Sequence, residues 1–429
     1  MLKKQNDEMN KNFKIRHASG PAIVPQSGCD WAEKMVLNPA IIADDETERL
    51  HMLFRASGPY PQKRLPGKDL PYPIFLGYAY SDDNGESWTA DFSRPALAPA
   101  LEYEREKLFR LDGRGRPCLN YANAYTEDPR LFYLEGELYL TVACRVFPVG
   151  AYWNCRKPGD EPDVMPDWHA TAHDLGRAVT EDVTVTVLYH VDLQALKRRD
   201  YDHAFKFLTR ITDPERGDNR DAFLFPERLT IDGRKQYVML HRCAESFDGA
   251  APHHSMWMSA ADDLYDLGTA KANHRLLAVP TFNWEQDRIG GSWPPIKLAD
   301  GQWLLAYHGK QDNQVGYTQS FMILKQGQGG WPEIHHRCSE RLLYTTETWE
   351  FSDLLYCPCI FTCSGILRNG ELIMGYGAAD EKVGIARCDF TTLVDHVKDF
   401  DKYGIVKHIP TNHLSQGDKR YEIMQPVNP

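Results

Sequence analysis

An asparagine and an aspartate, Asn38 and Asp128, each stand directly before a proline that opens an apolar run, Pro39 and Pro129. A third polar group, Asn219-Arg220-Asp221, lies shortly upstream of Pro226. Further along, apolar runs end in Arg55, Arg145, Arg242, His308 and Asp380. Gathered in one place, these residues make a pocket with few carboxylates and many cations. A glycoside hydrolase needs two carboxylates, one acid and one base or nucleophile. An inverting phosphorolytic enzyme needs only the acid, because inorganic phosphate is already an anionic nucleophile. It needs instead a cluster of Arg, Lys or His to hold that phosphate. Asp128 is the one well-placed carboxylate. Its bland reading is an aspartate that shapes a turn before proline.

The elements that must position these residues repeat five times. Prolines 39, 129, 226, 295 and 358 each open a strand-like run, a turn follows, and a second strand ends in a basic or polar residue. Pro39 to Arg55, Pro129 to Arg145 and Pro226 to Arg242 have the same separation. Four repeats carry hairpin turns: Glu135-Gly136, Asp232-Gly233, Asp300-Gly301 and Asn369-Gly370. A third strand follows each hairpin, as in Gly77 to Asp82, Arg177 to Asp182 and Trp257 to Asp262. Three or four strands repeated five times predict an all-β, five-bladed β-propeller with long inter-blade loops. Inner strands of such a ring bring together residues that are far apart in sequence. Residues 1–25 are expected to form a polar N-terminal arm and 26–429 a single catalytic propeller domain. Long insertions run from Pro59 to Pro73, Leu101 to Ala122 and Pro148 to Ala172, the last carrying Trp153 and Trp168 as a candidate substrate wall against packing on the scaffold.

Composition narrows the partners. The net charge of −11 and the lack of a basic run argue against nucleic acid. No apolar stretch is long enough to span a membrane, and Met1 to Glu8 lacks the apolar segment of an export signal. The expected location is the cytoplasm, with the ten cysteines reduced. Cys357, Cys359 and Cys363 do not have zinc-site spacing, so no metal is expected. Aromatic residues make up 11% of the chain, which suits both a β core and sugar stacking.

Six segments in order resemble the motif series of glycoside hydrolase family 130. They are Glu127-Asp128-Pro129-Arg130, Leu224-Phe225-Pro226, Trp284-Glu285 with Arg288-Ile289-Gly290-Gly291, Pro294-Pro295-Ile296, Tyr307-His308-Gly309 and Tyr376-Gly377-Ala378-Ala379-Asp380. The resemblance implies a five-bladed propeller acting on β-mannosides, most often as an inverting phosphorylase that releases α-mannose 1-phosphate. It makes Asp128 the general acid, passing its proton through the sugar's 3-hydroxyl to the glycosidic oxygen. It puts His308 on phosphate, Arg55 on both sugar and phosphate, and Asn38 and Asp380 on mannose hydroxyls. Arg145 and Arg177 are phosphate candidates by blade position, and Tyr317 adds a hydroxyl. Arg220 stands where the family's phosphorylases commonly have lysine, which keeps the charge on a longer, planar group.

The expected reaction is phosphorolysis of β-linked mannosides, with phosphate as co-substrate and no cofactor. The identity of the leaving sugar and pairing with a second copy stay open. One rival is hydrolysis on the same scaffold, with a carboxylate such as Glu285 or Asp221 activating water. Others are a non-catalytic glycan-binding propeller and an arabinan-active glycosidase with three carboxylates.

Overall fold

The structure, a computed structural model, describes residues 13–44, 46–58, 64–65, 68–69, 73–99, 109–119, 125–146, 180–252, 254–311, 315–351 and 358–406. Five antiparallel sheets form the blades of a propeller. The first comprises Met35–Ala43, Leu50–Ser57, Phe75–Ser81 and Thr89–Asp91, from the axis outward. The second comprises Glu127–Leu134, Glu137–Val146, Val183–Val191 and Phe205–Arg210. The third runs from Asn219–Leu224 through Arg234–Cys243 and Met256–Ala261 to Asn273–Ala278. The fourth runs from Arg288–Gly291 through Trp303–Lys310 and Tyr317–Gln326 to Pro332–Arg337. The fifth runs from Ile360–Arg368 through Glu371–Ala378 to Lys382–Asp389, and its outer strand is Arg16–His17.

That last pairing closes the ring with the beginning of the chain. Part of the stretch expected to be a polar arm therefore belongs to the fifth blade. Ile15 is buried, and Arg16 and His17 pair with Arg387 and Ala386. His17 Nδ1 lies 2.6 Å from Glu350 Oε1, which also accepts from the Tyr376 hydroxyl.

The hairpin turns form as their sequences require. Glu135, Asp232 and Asn369, with the glycine after each, all have positive φ, the conformation of a tight hairpin with matching twist. The repeat phase, however, differs from its sequence reading in two blades. Pro39 and Pro129 lie within inner strands, whereas Pro226 and Pro295 follow Asn219–Leu224 and Arg288–Gly291. There the prolines break the strand, which resumes as Leu229–Ile231 and Ile296–Lys297. Proline cannot donate to the ladder, so a break is where it fits. The third-blade counterpart of Asn38 and Asp128 is thus Asp221, not a residue adjoining Pro226.

The core lies between the faces of neighbouring blades. Leu53 and Tyr78 of the first pack with Leu140 and Val187 of the second, and Ile323 of the fourth packs with Met374 of the fifth. Each fully buried side chain of this size contributes roughly 1.5–3 kcal/mol. Tyr78, Tyr189, Tyr307 and Tyr376 are fully buried, so much of the aromatic content is packing. The eight described cysteines are buried thiols. No helix among the described residues is long and apolar enough to cross a membrane. The hairpins Arg64–Leu65 with Lys68–Asp69 and Phe109–Leu111 with Pro117–Leu119 are the described parts of two insertions. The run from Pro148 to Ala172, with Trp153 and Trp168, lies outside the described residues.

Candidate active site

The inner strands of the first three blades share one irregularity. Each shifts register at a single polar residue: Asn38 (φ 48°), Asp128 (φ 53°) and Asp221 (φ 56°). Left-handed backbone is unfavourable for side chains with a Cβ, and Asn and Asp tolerate it best. A bulge of this kind re-aims a side chain out of the normal alternation. Here it turns three polar groups toward the axis. Asp380, at φ 52° just past the second strand of the fifth blade, has the same backbone state.

Asp128 is nearly buried, and the contacts found for its carboxylate fall on one oxygen. Asn38 Nδ2 donates to Asp128 Oδ1 at 2.7 Å, and Arg55 donates to the same atom at 3.2 Å. Glu127, beside it in the chain, bridges two arginines. Arg220 donates to Glu127 Oε1 at 2.7 Å, and Arg55 lies 3.2 Å from Glu127 Oε2. Arg220 also donates to Thr184 Oγ1 at 3.0 Å. These bonds fix the planes of both guanidinium groups next to the acid.

Asp221 behaves differently. It accepts from Arg130 at 3.1 Å and Arg242 at 2.7 Å, and His308 Nε2 lies 3.3 Å from its Oδ2. Burial raises its pKa, but its partners, Arg242 first, then His308 and Arg130, outweigh that and hold it well below the usual carboxylate range. Arg130 reaches across the axis, donating to the carbonyls of Ser292, Asp128 and Gly291 as well. Gly290 permits this approach: a Cβ there would sit 2.2 Å from Asp221 Oδ2 and 2.7 Å from His308 Nε2. Gly377 likewise makes room for Asn38, whose Oδ1 would lie 2.1 Å from an added Cβ.

Burial lowers the pKa of His308, with Asp221 opposing. Its ring packs 4.5 Å from Phe361 and 5.7 Å from Tyr317. Burial raises the pKa of Asp380, against the lowering effect of Arg55, and its Oδ1 is 3.5 Å from Cys359 Sγ. Arg145 is farther out, its Nε 3.1 Å from Asp182 Oδ2 and its guanidinium over the Tyr125 ring. The register explains the offset. Arg55 and Arg242 lie opposite the residue before their blade's bulge, whereas Ala143 takes that place in the second blade.

The structure thus gathers Asn38, Arg55, Asp128, Arg220, His308, Tyr317 and Asp380 around the axis, with Arg145 at the rim. Arg177 lies outside the described residues. Two sequence expectations are corrected. The site is not poor in carboxylates, because Arg55, Arg145, Arg220 and Arg242 each lie against one. Nor do Asp221 and Glu285 suit the role of a base. Glu285 is buried and accepts from the Thr281 and Phe282 amides and from Arg337. The bridging role of Glu127 and the axial reach of Arg130 were missed; their signal was adjacency to Asp128 in one four-residue motif.

Comparison with known proteins identifies the family. A family model described as β-1,4-mannooligosaccharide phosphorylase matches residues 176–399, more than half of the chain. A 1,2-β-oligomannan phosphorylase from Thermoanaerobacter sp. is 26% identical over 373 residues, covering 86% of this chain and 95% of that protein. A β-1,4-mannooligosaccharide phosphorylase from Ruminococcus albus is 31% identical over 183 residues, 42% of this chain and 51% of that one. Among solved structures, the β-1,2-mannobiose phosphorylase of Listeria innocua, in complex with β-1,2-mannobiose, superposes with a TM-score of 0.58 at 18% identity, covering 90% of this chain and 99% of that one. The chain is a member of glycoside hydrolase family 130.

Proposed function

We propose that this protein is an inverting phosphorylase of β-linked mannosides, producing α-mannose 1-phosphate and a shortened acceptor sugar. The observation that carries this reading is the one-sided hold on Asp128 beside two arginines clamped by Glu127. With Asn38 and Arg55 on Oδ1, Oδ2 is the oxygen that carries the acid proton. That proton goes to the glycosidic oxygen, by way of the mannose 3-hydroxyl, as the bond to the anomeric carbon breaks. Phosphate attacks the same carbon from the opposite face.

Arg55, Arg220 and His308 hold the phosphate, with Tyr317 adding a hydroxyl and Arg145 supporting from the rim; Arg177 is a further phosphate candidate by its position in the repeat. Arginine has five N–H donors, so bonds to Glu127 and Thr184 orient Arg220 without exhausting it. Such fixed donors favour the charge that builds up in the transition state and keep the nucleophile in line. Asn38 and Asp380 bind the mannose hydroxyls. The reaction needs no metal or organic cofactor, and phosphate is the co-substrate.

The main competitor is hydrolysis. It needs a base beside a water molecule, and the two carboxylates best suited by sequence, Asp221 and Glu285, are already saturated by cations or amides. The test is incubation with short β-1,2- and β-1,4-mannosides, with and without phosphate, followed by NMR of the products. The expected result is phosphate-dependent formation of α-mannose 1-phosphate. Equal mannose release without phosphate would overturn the proposal. The two linkages are both included because the relatives' names carry both.

A further inference from the structure

We propose that Cys338, Glu340 and His396 form a three-ligand site for a divalent cation of the zinc class, at the junction of the fourth and fifth blades and apart from the axial site. Cys338 and Glu340 follow the outer strand of the fourth blade, and His396 lies on the helix Phe390–Lys398 that follows the fifth. One donor atom from each of the three lies within 4.8 Å of the other two, and theirs is the one such group found among the described residues. His396 Nε2 is 3.1 Å from Glu340 Oε2. Zinc bonds of about 2.0–2.3 Å in tetrahedral geometry place ligand atoms roughly 3.3–3.7 Å apart. The nitrogen and oxygen already have nearly that spacing, and a small shift brings in the sulfur.

The surroundings favour a site over an ordinary surface pair. The His396 ring is sandwiched, stacked on Phe13 at 4.9 Å and edge-on to Phe400 at 5.6 Å, so its orientation is set. Cys338 is fully buried, beside exposed Glu340 and half-buried His396. Its sulfur makes a weak contact with the Glu340 carbonyl, at 3.8 Å. A His–Glu pair alone would contribute little and would need no sulfur beneath it. Mixed sulfur, nitrogen and oxygen donors suit zinc or cobalt rather than magnesium or calcium.

On binding, the Cys338 S–H bond is replaced by a sulfur–metal bond and the proton passes to solvent. Water completes the coordination. The cation then clips the fourth blade to the helix beyond the fifth, and it stabilises the ring where the chain closes it.

The test uses the full chain, stripped with a chelator and titrated with cobalt(II), with zinc(II) as competitor. The expected result is one equivalent of cobalt with a thiolate charge-transfer band and a zinc-dependent rise in melting temperature. Cys338→Ser should abolish the band. Glu340→Gln and His396→Ala should each weaken binding at least as much as the roughly 10- to 100-fold cost of losing an outer-shell partner. Glu340 is exposed and His396 only half-buried, so these two carry the test if Cys338→Ser fails to fold. His203→Ala, at an exposed His–Asp pair elsewhere, should change nothing. No charge-transfer band, or equal binding by wild type and His396→Ala, would overturn the proposal.

Discussion

Asp128 and Asp221 sit on adjacent inner strands in the same strained backbone state, yet their surroundings are opposite. Asp221 is gripped on both oxygens by two arginines and faces a histidine. The contacts found for Asp128 among the described residues fall on one oxygen, from an amide and one arginine. A carboxylate whose charge is fully compensated has no reason to take or give a proton, and serves as a fixed anchor. A carboxylate with one committed oxygen can exchange a proton at the other. On the proposed function, the same bulge yields a reactive residue in one blade and a scaffold residue in the next, and the neighbours decide which.

The largest effect that would sharpen this contrast is on turnover. Asp128→Asn keeps the shape and the Asn38 contact region but removes the acid. Phosphorolysis should fall roughly 100- to 10,000-fold, the usual scale for general-acid catalysis, with the melting temperature nearly unchanged. Steady-state rates and a thermal melt check both halves. Substantial residual activity would assign the proton to another group.

Asp221→Asn should show the reverse pattern. Removing one partner from a buried charge network costs about 3–5 kcal/mol, and here Arg130, Arg242 and His308 all lose their anion. Urea denaturation should report the loss directly. The linkage sign follows from the direction of the shift. Asp221 has a depressed folded-state pKa, so its stabilisation is full above the usual carboxylate range and is lost as pH falls through the folded value. The stability gap between wild type and Asp221→Asn should thus narrow on going below about pH 4. A gap that widens in acid would contradict the ion-pair account.

How much of this contrast could be seen in the sequence depends on distance along the chain. The hairpins were legible because a turn such as Asn369-Gly370 is encoded by two adjacent residues. The five-fold repeat was legible from spacing, and Asp128, Arg55 and His308 from motif and position. The phase of the third blade was not, because the equal Pro226-to-Arg242 separation imitated the true alignment while the bulge lay at Asp221. The saturation of Asp221 and Glu285 was hidden for a related reason. Two of their charged partners, Arg130 and Arg337, are far away in sequence and come close only in the closed ring.

A moderate effect is expected at Arg220. Lysine, common at this position in the family's phosphorylases, keeps the charge but cannot bond Glu127 and Thr184 at once with a planar fork. Arg220→Lys should raise the KM for phosphate several-fold with a smaller change in the KM for mannoside. An equal change in both would mean that Arg220 shapes the whole pocket rather than the phosphate end.

The smallest effect separates binding from stability at Asp380. Burial raises its pKa, so any contribution to stability is full below the usual carboxylate range and is lost as pH rises through the folded value. At neutral pH the charged form is a burden on the fold. Asp380→Asn removes that burden and keeps a polar side chain of the same shape, so the melting temperature at pH 7 should hold or rise slightly. If the carboxylate grips a mannose hydroxyl, the KM for mannoside should still increase, by roughly 2- to 10-fold, the worth of one hydrogen bond. A lower melting temperature with unchanged KM would place Asp380 with Asp221, as a second anchor, and leave mannose recognition to Asn38 and Arg55.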